Sequence, residues 1–512
     1  MRGITNSMGL VRLLALSLAA MGCCMPAYGA AAAGTACTDL VALRIPGIQI
    51  ESAGVVAKDG LVLPGSWQRE RSPTFCRVTA LATPAPDSHI RLEVWIPPLA
   101  RWNGKLLGTG NGGFSGAINY QQMKQAVMQG YATVGTDTGH TGDQLGFGRD
   151  HPERIIDWAY RSVHVMTVAA KIILRDHAGR FPAHSYFDGC STGGQQALSE
   201  AQRYPDDYDG IVAGAPGYDR IRLIIGFLWS WVATHDAAGQ PLLTTAQLDE
   251  LTTAAVKRCD AADGLRDGIV TNPLRCDFDP GILACDRHPG NDCLTPRQVA
   301  AVRQVYAGAK DPRTGVQLYP GWTRGSEAGW GAYILDPAEP ARLDFFKDWA
   351  FDDPRWDWHT FDWDRDVAFI EQRLPFVAAT SPDLSQFKAD GDKLLMYSGG
   401  ADPVVPLADV VDYYESVLKR MGGVHATQSF FRYFEVPGMG HCRGGNAPTV
   451  FDPLQALDRW VVKGDAPERI VAAQLSGDHM GRTRPLCPYP QVARHEGAGS
   501  IDSAAGFICA AP

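Results

Sequence analysis

The feature that most constrains this chain is the segment 187–194, with the sequence FDGCSTGG. It contains the pattern G-x-S-x-G, a short predicted strand (185–187) precedes it, and helix-forming residues (195–203) follow it. In such a strand-to-helix turn the serine hydroxyl is lifted clear of the sheet, and the glycines let other backbone pass close by. The pentapeptide alone is a weak signal, but this context predicts a nucleophile elbow with Ser191 at its tip.

Predicted strands and helices alternate on both sides of this elbow. Before residue 218 we predict strands at 90–96, 105–108, 131–135, 185–187 and 209–216, with helices at 122–129, 155–177 and 195–203. The alternation returns later as a strand at 393–398, a helix at 407–421 and a strand at 430–436. This order predicts an α/β protein with the α/β-hydrolase fold, a doubly wound and mostly parallel sheet.

The alternation is absent between residues 218 and 385, which contain four cysteines and many aromatic residues. We interpret this stretch as an inserted lid domain. The catalytic domain is then split into 30–217 and 386–512. The tryptophan-rich stretch 349–363 is a candidate wall of the substrate site, with core packing as the other role open to most of its rings.

The N-terminus has the pattern of a processing signal. Basic residues flank a short apolar run (13–21), and a small-x-small site follows at 27–29. We therefore predict a secretory signal peptide at 1–29, with a lipoprotein anchor at Cys23 as the lesser alternative. No other segment is apolar enough to span a membrane. The net charge of −9 and the absence of a basic run argue against nucleic acid as a partner.

Removal of this signal would leave an even number of cysteines in an exported chain, which predicts disulfides. Their spacing does not match a zinc site. The ten cysteines are Cys37, Cys76, Cys190, Cys259, Cys276, Cys285, Cys293, Cys442, Cys487 and Cys509.

A serine nucleophile requires a base and an acid that orients the base, and in α/β-hydrolases these follow the serine in the order acid, then histidine. Asp402 lies in a GGADP sequence directly after the predicted strand 393–398, and His441 lies in GMGHC after the strand 430–436. We predict that Ser191 attacks an acyl carbon, that His441 moves its proton, and that Asp402 orients the imidazole. Taken singly, such an aspartate is usually a turn former and such a histidine is usually only solvated.

The oxyanion of the tetrahedral intermediate requires two backbone N–H donors. We predict that Thr192 supplies one, because it follows the serine. The glycine-rich loop 110–114 takes the place of the usual second donor loop, with Gly112 or Gly113 as the donor. The alternative is an ordinary glycine turn.

Two of the predicted catalytic residues are next to a cysteine: Cys190 precedes Ser191, and Cys442 follows His441. If the serine and histidine are within hydrogen-bond reach, the two cysteines come within the Cα separation that a disulfide requires. We predict this disulfide, against the alternative of two separate buried thiols.

A third motif, CDAADGLRDGI at 259–269, places three carboxylates on a turning loop, which suits Ca²⁺. A solvated Asp/Gly-rich turn fits the same spacing equally well. The cysteines at 259 and 276 bracket the loop. The candidate ligands are the carboxylates of Asp260, Asp263 and Asp267 and the backbone carbonyls of Leu265 and Ile269.

Together these motifs resemble the tannase and feruloyl esterase family from about residue 37 to residue 509. The matching pieces are the Cys-Ser, Asp and His-Cys constellation, the Gly-Cys-Ser-x-Gly-Gly elbow, the DGIVAGAP strand at 209–216 and the Cys-Asp-x-x-Asp-Gly-x-x-Asp-Gly loop. The resemblance implies Ca²⁺ on that loop and a lid that binds an aromatic acyl group. The cysteine pairs that it implies are Cys37–Cys76, Cys190–Cys442, Cys259–Cys276, Cys285–Cys293 and Cys487–Cys509.

We therefore expect an exported serine esterase without an organic cofactor, acting on small esters of aromatic acids. Feruloyl and other hydroxycinnamoyl esters come first, galloyl esters second, and monoesters of terephthalate form a further alternative. A catalytically silent binding protein on the same fold and a peptidase are the competing hypotheses.

Overall fold

The computed structural model describes residues 34–288, 290, 292–335, 339–476 and 479–512. The predicted signal peptide at 1–29, with Cys23, lies outside the described residues. The strands of the described part are β1 Ile48–Val56, β2 Leu61–Val62, β3 Arg69–Glu70, β4 Phe75–Ala82, β5 Ile90–Ile96, β6 Lys105–Thr109, β7 Ala132–Thr136, β8 His184–Cys190, β9 Gly210–Gly214, β10 Ala309–Lys310, β11 Gln317–Tyr319, β12 Lys393–Gly399, β13 Phe431–Val436, β14 Ile470–Ser476, β15 His479–Leu486, β16 Val492–His495 and β17 Phe507–Ala510. The helices are α1 Tyr120–Met128, α2 Pro152–Ile156, α3 Ser162–Ala178, α4 Thr192–Arg203, α5 Arg220–Thr234, α6 Thr245–Cys259, α7 Pro296–Ala307, α8 Gly331–Ile334, α9 Arg365–Arg373, α10 Ser385–Ala389, α11 Leu407–Met421, α12 Val424–Gln428 and α13 Pro453–Lys463.

The core is a nine-stranded sheet in the order β1-β4-β5-β7-β6-β8-β9-β12-β13. From β7 to β13 every neighbouring pair is parallel, whereas β1, β4, β5 and β7 pair antiparallel. The central strands are short and apolar, and every residue of β7 and β9 is buried, as expected of parallel strands that helices cover on both faces. The prediction of a mostly parallel α/β sheet is confirmed.

The predicted elements of this core occur with shifted ends. Helix α11 has the predicted bounds, whereas α1 begins two residues early because the Asn119 side chain caps it by accepting the N–H of Gln122 at 3.2 Å. The predicted helix 155–177 is α2 and α3 joined through a π-helical segment at Asp157–Arg161. Helix α4 starts at Thr192, three residues before the predicted start, because the elbow leads directly into it.

The strands that the sequence did not predict lie outside the βα alternation. Strand β4 has one well buried face. Strand β1 pairs with β4 at the edge of the sheet, and most residues of β1 are at least partly exposed. The C-terminal hairpins β14–β15 and β16–β17 form separate two-stranded sheets. None of these strands alternates with helices, so the pattern that identified the core gives no signal for them.

Between β9 and β12 the chain forms α5 to α10 and the ribbon β10–β11, and within the described residues no strand of this stretch joins the large sheet. Residues 34–512 form one compact unit. The lid boundaries at 218 and 385 therefore stay a prediction. No helix in the described part is long and apolar enough to cross a membrane.

Five disulfides are present, and they are the five pairs that the resemblance implies. They close sequence separations from 8 residues (Cys285–Cys293) to 252 residues (Cys190–Cys442). Bridges of this number are typical of proteins that fold in an oxidising compartment.

Candidate active site

Ser191 stands at the tip of a strained turn between β8 and α4. Its φ of 65° and ψ of −116° lie in a region that residues other than glycine rarely adopt. Its amide donates to the carbonyl of Gly214 at 2.9 Å. The glycines around it permit a close approach of backbone. A Cβ on Gly189 would lie 2.5 Å from the oxygen of Gly193, and one on Gly194 would lie 2.3 Å from the oxygen of Gly214. The sequence therefore forms the predicted elbow geometry.

The side chains of Ser191, His441 and Asp402 form one hydrogen-bonded chain. The Oγ of Ser191 lies 2.8 Å from Nε2 of His441, and Nδ1 of His441 lies 2.8 Å from Oδ2 of Asp402. Asp402 is fully buried, whereas 21% of the histidine side chain is exposed. A carboxylate only accepts hydrogen bonds, so Nδ1 carries the proton and Nε2 accepts from the serine hydroxyl.

The other oxygen of Asp402 fixes the orientation of its carboxylate. Oδ1 accepts the N–H groups of Val404 at 2.7 Å and Val405 at 3.0 Å. Asp402 follows β12 and His441 follows β13, two parallel neighbours, so their loops meet at one edge of the sheet. The elbow after β8 lies at the same edge because β8, β9 and β12 are also parallel neighbours.

A disulfide joins the elbow to the histidine loop. Cys190 and Cys442 are bonded with a Cα separation of 6.0 Å, and Cys442 has a φ of 63°. The bridge therefore links the residue before Ser191 to the residue after His441. This linkage restricts the relative movement of the two side chains that exchange a proton in the proposed chemistry.

The glycine-rich loop 110–114 is fastened beside the elbow through Asn111. Its carbonyl accepts the N–H of Gly193 at 2.7 Å, its N–H donates to Oε1 of Gln196 at 3.0 Å, and its side-chain amide donates to the carbonyls of Ala117 and Thr136. Asn111 is buried and was not singled out from the sequence. An asparagine in a glycine-rich loop reads as a turn residue, so its anchoring role is visible only in three dimensions.

The predicted oxyanion donors lie around this contact. Thr192 begins α4, and its Oγ1 donates to the carbonyl of Gly113 at 2.5 Å. In the part of the chain that the structure describes, the amides of Thr192, Gly112 and Gly113 donate no hydrogen bond. These are the amides expected to face an oxyanion, and both loop glycines stay candidates for the second donor.

Aromatic rings and two arginines flank the loop. Phe114 stacks on Trp158 at 4.7 Å between centroids and meets Trp349 edge-on at 5.5 Å. The guanidinium groups of Arg220 and Arg342 lie 5.2 and 5.1 Å from the Phe114 ring centre. No motif marks these arginines, although a cation at the start of the apolar helix α5 is a signal that could have been followed.

Tyr333 brings the predicted lid close to the triad. Burial, and then the negative charge of Asp402, raises the pKa of Tyr333 to about 12. Its ring stacks on Phe227 at 4.6 Å. In contrast, Trp349, at the start of the predicted wall 349–363, is buried and donates to the carbonyl of Leu145, which is a core role.

A cavity of about 280 Å³ opens beside His441. Its lining includes glycines from the loops that carry Asp402 and His441, together with Arg324, Ser326 and Asn446. A larger cavity of about 570 Å³ adjoins the Cys259–Cys276 bridge and contains no triad residue in its lining. Of these two cavities, only the smaller one has a residue of the predicted triad, His441, in its lining.

The predicted calcium ligands share one loop, but each carboxylate already has partners from the chain. Oδ1 of Asp260 accepts the N–H groups of residues 267, 268 and 269, and Asp263 accepts from Leu265 and Thr271. Asp267 forms an ion pair with Arg484. Among the described residues no three acidic, histidine or cysteine side chains converge as a metal centre would require. In this conformation the loop does not present a preformed ion site, and calcium binding stays a prediction.

Comparison with known proteins identifies relatives of this chain. The family model described as "Tannase and feruloyl esterase" matches residues 76–510. An uncharacterized esterase of Xanthomonas campestris pv. campestris is 37% identical over 98% of this chain and 95% of its own length. The mono(2-hydroxyethyl) terephthalate hydrolase of Piscinibacter sakaiensis is 34% identical over 83% of this chain and 82% of its own. The crystal structure of feruloyl esterase B from Aspergillus oryzae superimposes with a TM-score of 0.87 at 29% identity, covering 93% of this chain and 99% of that one.

Proposed function

The chain belongs to the tannase and feruloyl esterase family and is a carboxylic ester hydrolase, and from this premise we propose that it is an exported serine esterase for esters of aromatic acids. Feruloyl and other hydroxycinnamoyl esters are its proposed main substrates. The observation that carries the proposal is the pair of 2.8 Å contacts that joins Ser191 to His441 and His441 to Asp402 at the tip of the elbow.

In the proposed reaction the Ser191 hydroxyl attacks the ester carbonyl while Nε2 of His441 takes its proton. The negative charge that develops on the carbonyl oxygen is stabilised by the Thr192 amide and one amide of the loop 110–114. His441 then protonates the alcohol as the C–O bond breaks, which leaves the acid esterified to Ser191. Water, deprotonated by the same imidazole, hydrolyses this intermediate, and Asp402 stabilises the imidazolium in both halves of the reaction.

The surroundings of the triad support an aromatic acyl group and a separate place for the alcohol. Tyr333, which is partly exposed, supplies aromatic surface near the aspartate. The cavity beside His441 has the volume of a small ligand and contacts the residue that protonates the leaving alcohol. We propose that the alcohol departs through this cavity.

We propose export because five disulfides favour an oxidising compartment, as does the predicted signal peptide. Galloyl esters and monoesters of terephthalate are the competing substrates. The second is favoured by the 34% identity to a relative named for that activity.

The experiment that tests the proposal compares kcat/KM for methyl ferulate, methyl caffeate, methyl gallate and mono(2-hydroxyethyl) terephthalate. The wild type should be fastest on the first two, and Ser191→Ala should be inactive on all four. A wild type fastest on methyl gallate or on the terephthalate ester would replace the substrate assignment. Equal rates for the wild type and Ser191→Ala would remove the triad mechanism, and cleavage of peptides in preference to methyl ferulate would favour a peptidase.

A further inference from the structure

One peptide unit of the loop 110–114 is held from both of its polar ends. The carbonyl of Gly113 accepts the Thr192 hydroxyl at 2.5 Å, and the N–H of Phe114, in the same peptide unit, donates to Oδ1 of Asp143 at 2.9 Å. This unit adjoins the predicted oxyanion amides at Gly112 and Gly113. Whatever fixes its plane therefore limits how those amides are aimed.

Arg220 supports the first of these contacts, the hydrogen bond from Thr192 to the carbonyl of Gly113. Its Nη2 donates to Oγ1 of Thr192 at 2.8 Å, and its Nε donates to Oε1 of Gln195 at 2.9 Å. The side chain is buried beneath the rings of Phe114 and Trp158, and it forms no ion pair with an acid among the described residues. A buried cation without a carboxylate costs free energy, which its hydrogen bonds to Thr192 and Gln195 and its contacts with the two rings offset in part.

The guanidinium of Arg220 also fixes the direction of the threonine hydrogen bond. Arginine has only donors, so Oγ1 of Thr192 must accept from it. The single proton of that hydroxyl is then directed to the carbonyl of Gly113. Burial, and then the charge of Arg342, lowers the pKa of Arg220 to about 10, so the cation persists at neutral pH.

Arg342, a residue of the predicted lid, supports the second contact, the hydrogen bond from Phe114 to Asp143. It forms an ion pair with Asp143 and donates from Nη1 to the Asp143 carbonyl at 3.1 Å. The carboxylate that receives the Phe114 amide is thus neutralised and held by a residue 199 positions away in the chain. Arg342 has a φ of 64°, a backbone conformation that is strained for a non-glycine residue and that fixes where this side chain starts.

We propose that Arg220 and Arg342 are positioning residues for the oxyanion loop, holding the Gly113–Phe114 peptide through Thr192 and Asp143 respectively. The proposal rests on the proposed function in its kinetic consequence but not in its structural content. It makes the oxyanion site depend on two separate segments of the predicted lid, helix α5 and the stretch around Arg342. Neither arginine is assigned a contact with the substrate in this role.

The kinetic test uses Thr192→Val and Thr192→Ser, which leave the backbone amide of residue 192 in place. Valine has the shape of threonine but can neither accept from Arg220 nor donate to Gly113, whereas serine can do both. We expect Thr192→Val to lower kcat by about 10- to 100-fold, below the loss for deletion of a whole oxyanion donor, with KM changed by less than about threefold. Thr192→Ser, which keeps both hydrogen bonds, should lose less kcat than Thr192→Val. Equal kcat for the two variants would overturn the proposal.

Arg220→Gln is compared with Arg222→Gln, an arginine of the same helix that pairs with Glu371 outside this contact. We expect a fall in kcat only for Arg220→Gln. An aryl trifluoromethyl ketone, which forms a tetrahedral adduct with the serine, should lose affinity in parallel with kcat, whereas the affinity for free ferulate should not change. A purely structural role would lower both affinities together, and that result would contradict the proposal.

Amide hydrogen exchange of the segment 111–116 gives a readout that needs no turnover. Exchange should accelerate in Thr192→Val and Arg342→Gln but not in Thr192→Ser or Arg222→Gln. Unchanged protection in Thr192→Val and Arg342→Gln would overturn the proposed positioning of the Gly113–Phe114 peptide even if the enzyme is active. A wild type inactive on every ester would instead remove the proposed function, and the exchange pattern would still test the positioning of this peptide.

Discussion

Cys190 and Cys442 are bonded across 252 residues of chain, and each is the immediate neighbour of a residue of the Ser191–His441 pair. The bridge therefore restricts the site itself and not only the unfolded chain. A bridge remote from the triad should stabilise the protein without this local effect, so the two contributions are separable by experiment.

Removal of this bridge in Cys190→Ala/Cys442→Ala should lower both stability and kcat. Loop-closure entropy for so long a loop amounts to about 5 kcal/mol, and the freed histidine loop should lower kcat because Nε2 is no longer held near Oγ. Urea unfolding and kcat on a p-nitrophenyl ester provide the two measurements.

The matched control for this experiment is Cys37→Ala/Cys76→Ala, which opens a loop of 39 residues. Its loss of stability should be similar, about 4 kcal/mol, while kcat of the folded enzyme stays unchanged. If both double variants keep the wild-type kcat, the bridge at the triad has no catalytic effect.

Asp402→Asn should lower kcat by about 10³- to 10⁴-fold, a loss typical of a triad acid changed to its amide. The amides of Val404 and Val405 will hold the asparagine carbonyl oxygen, which turns its NH₂ group toward Nδ1 of His441. The imidazole must then accept at Nδ1 and loses its free acceptor at Nε2. Steady-state kinetics check the rate, and an unchanged melting temperature shows that the fold survives. A loss of less than tenfold would contradict the role of Asp402.

The buried carboxyl of Asp137, directly after β7, should make stability depend on pH. Burial raises its pKa to about 7, although the amides of Arg91 and Gly139 oppose this by donating to Oδ1. The folded state therefore binds the proton more tightly than the unfolded state. The contribution is fully present below about pH 4 and is lost as the pH rises to about 7.

Asp137→Asn removes this titration and keeps an oxygen acceptor for both amides. Its free energy of unfolding relative to the wild type should rise between pH 4 and pH 7 and level off above. The total change is at most roughly 4 kcal/mol, since one pKa unit corresponds to about 1.4 kcal/mol. Urea unfolding at pH 4, 5, 6, 7 and 8 measures the difference, and a constant difference across this range would contradict the shift.

Removal of calcium should lower the melting temperature if the loop 259–269 binds the ion as the resemblance implies. Burial raises the pKa of Asp267, the charges of Arg484 and Arg482 oppose this, and the charge of Asp263 adds a smaller rise, so a divalent cation would relieve the repulsion between the two carboxylates. We expect EDTA to lower the melting temperature by several degrees and Ca²⁺, but not Mg²⁺, to restore it.

Asp263→Asn is the control for this experiment because Asp263 lies outside the Asp267–Arg484 ion pair. It should abolish the response to Ca²⁺. A melting temperature unchanged after verified metal removal would show that Arg484 and the loop amides are sufficient to stabilise the loop without an ion.

The sequence predicted those parts of the site that local patterns define. Ser191 is marked by glycines that the turn requires, and Asp402 and His441 follow strands whose apolar runs are legible one at a time. Because parallel strands carry their C-terminal loops to one edge, the chain order alone was enough to expect these three side chains together. Strand β4 and the C-terminal hairpins lack the alternation with helices and were missed for that reason.

The elbow, the order of the proposed triad residues and the set of cysteines were thus determined by sequence alone, because each depends on backbone conformation or on short spacing. The tertiary structure decided which charged side chains meet distant partners and which of them are buried. Arg342 reaches Asp143 over 199 positions, Arg484 reaches Asp267 over 217, and Arg220 rests on the rings of Phe114 and Trp158. No local periodicity encodes such contacts, because the cost of a buried charge is set by everything packed around it and not by its neighbours in the chain.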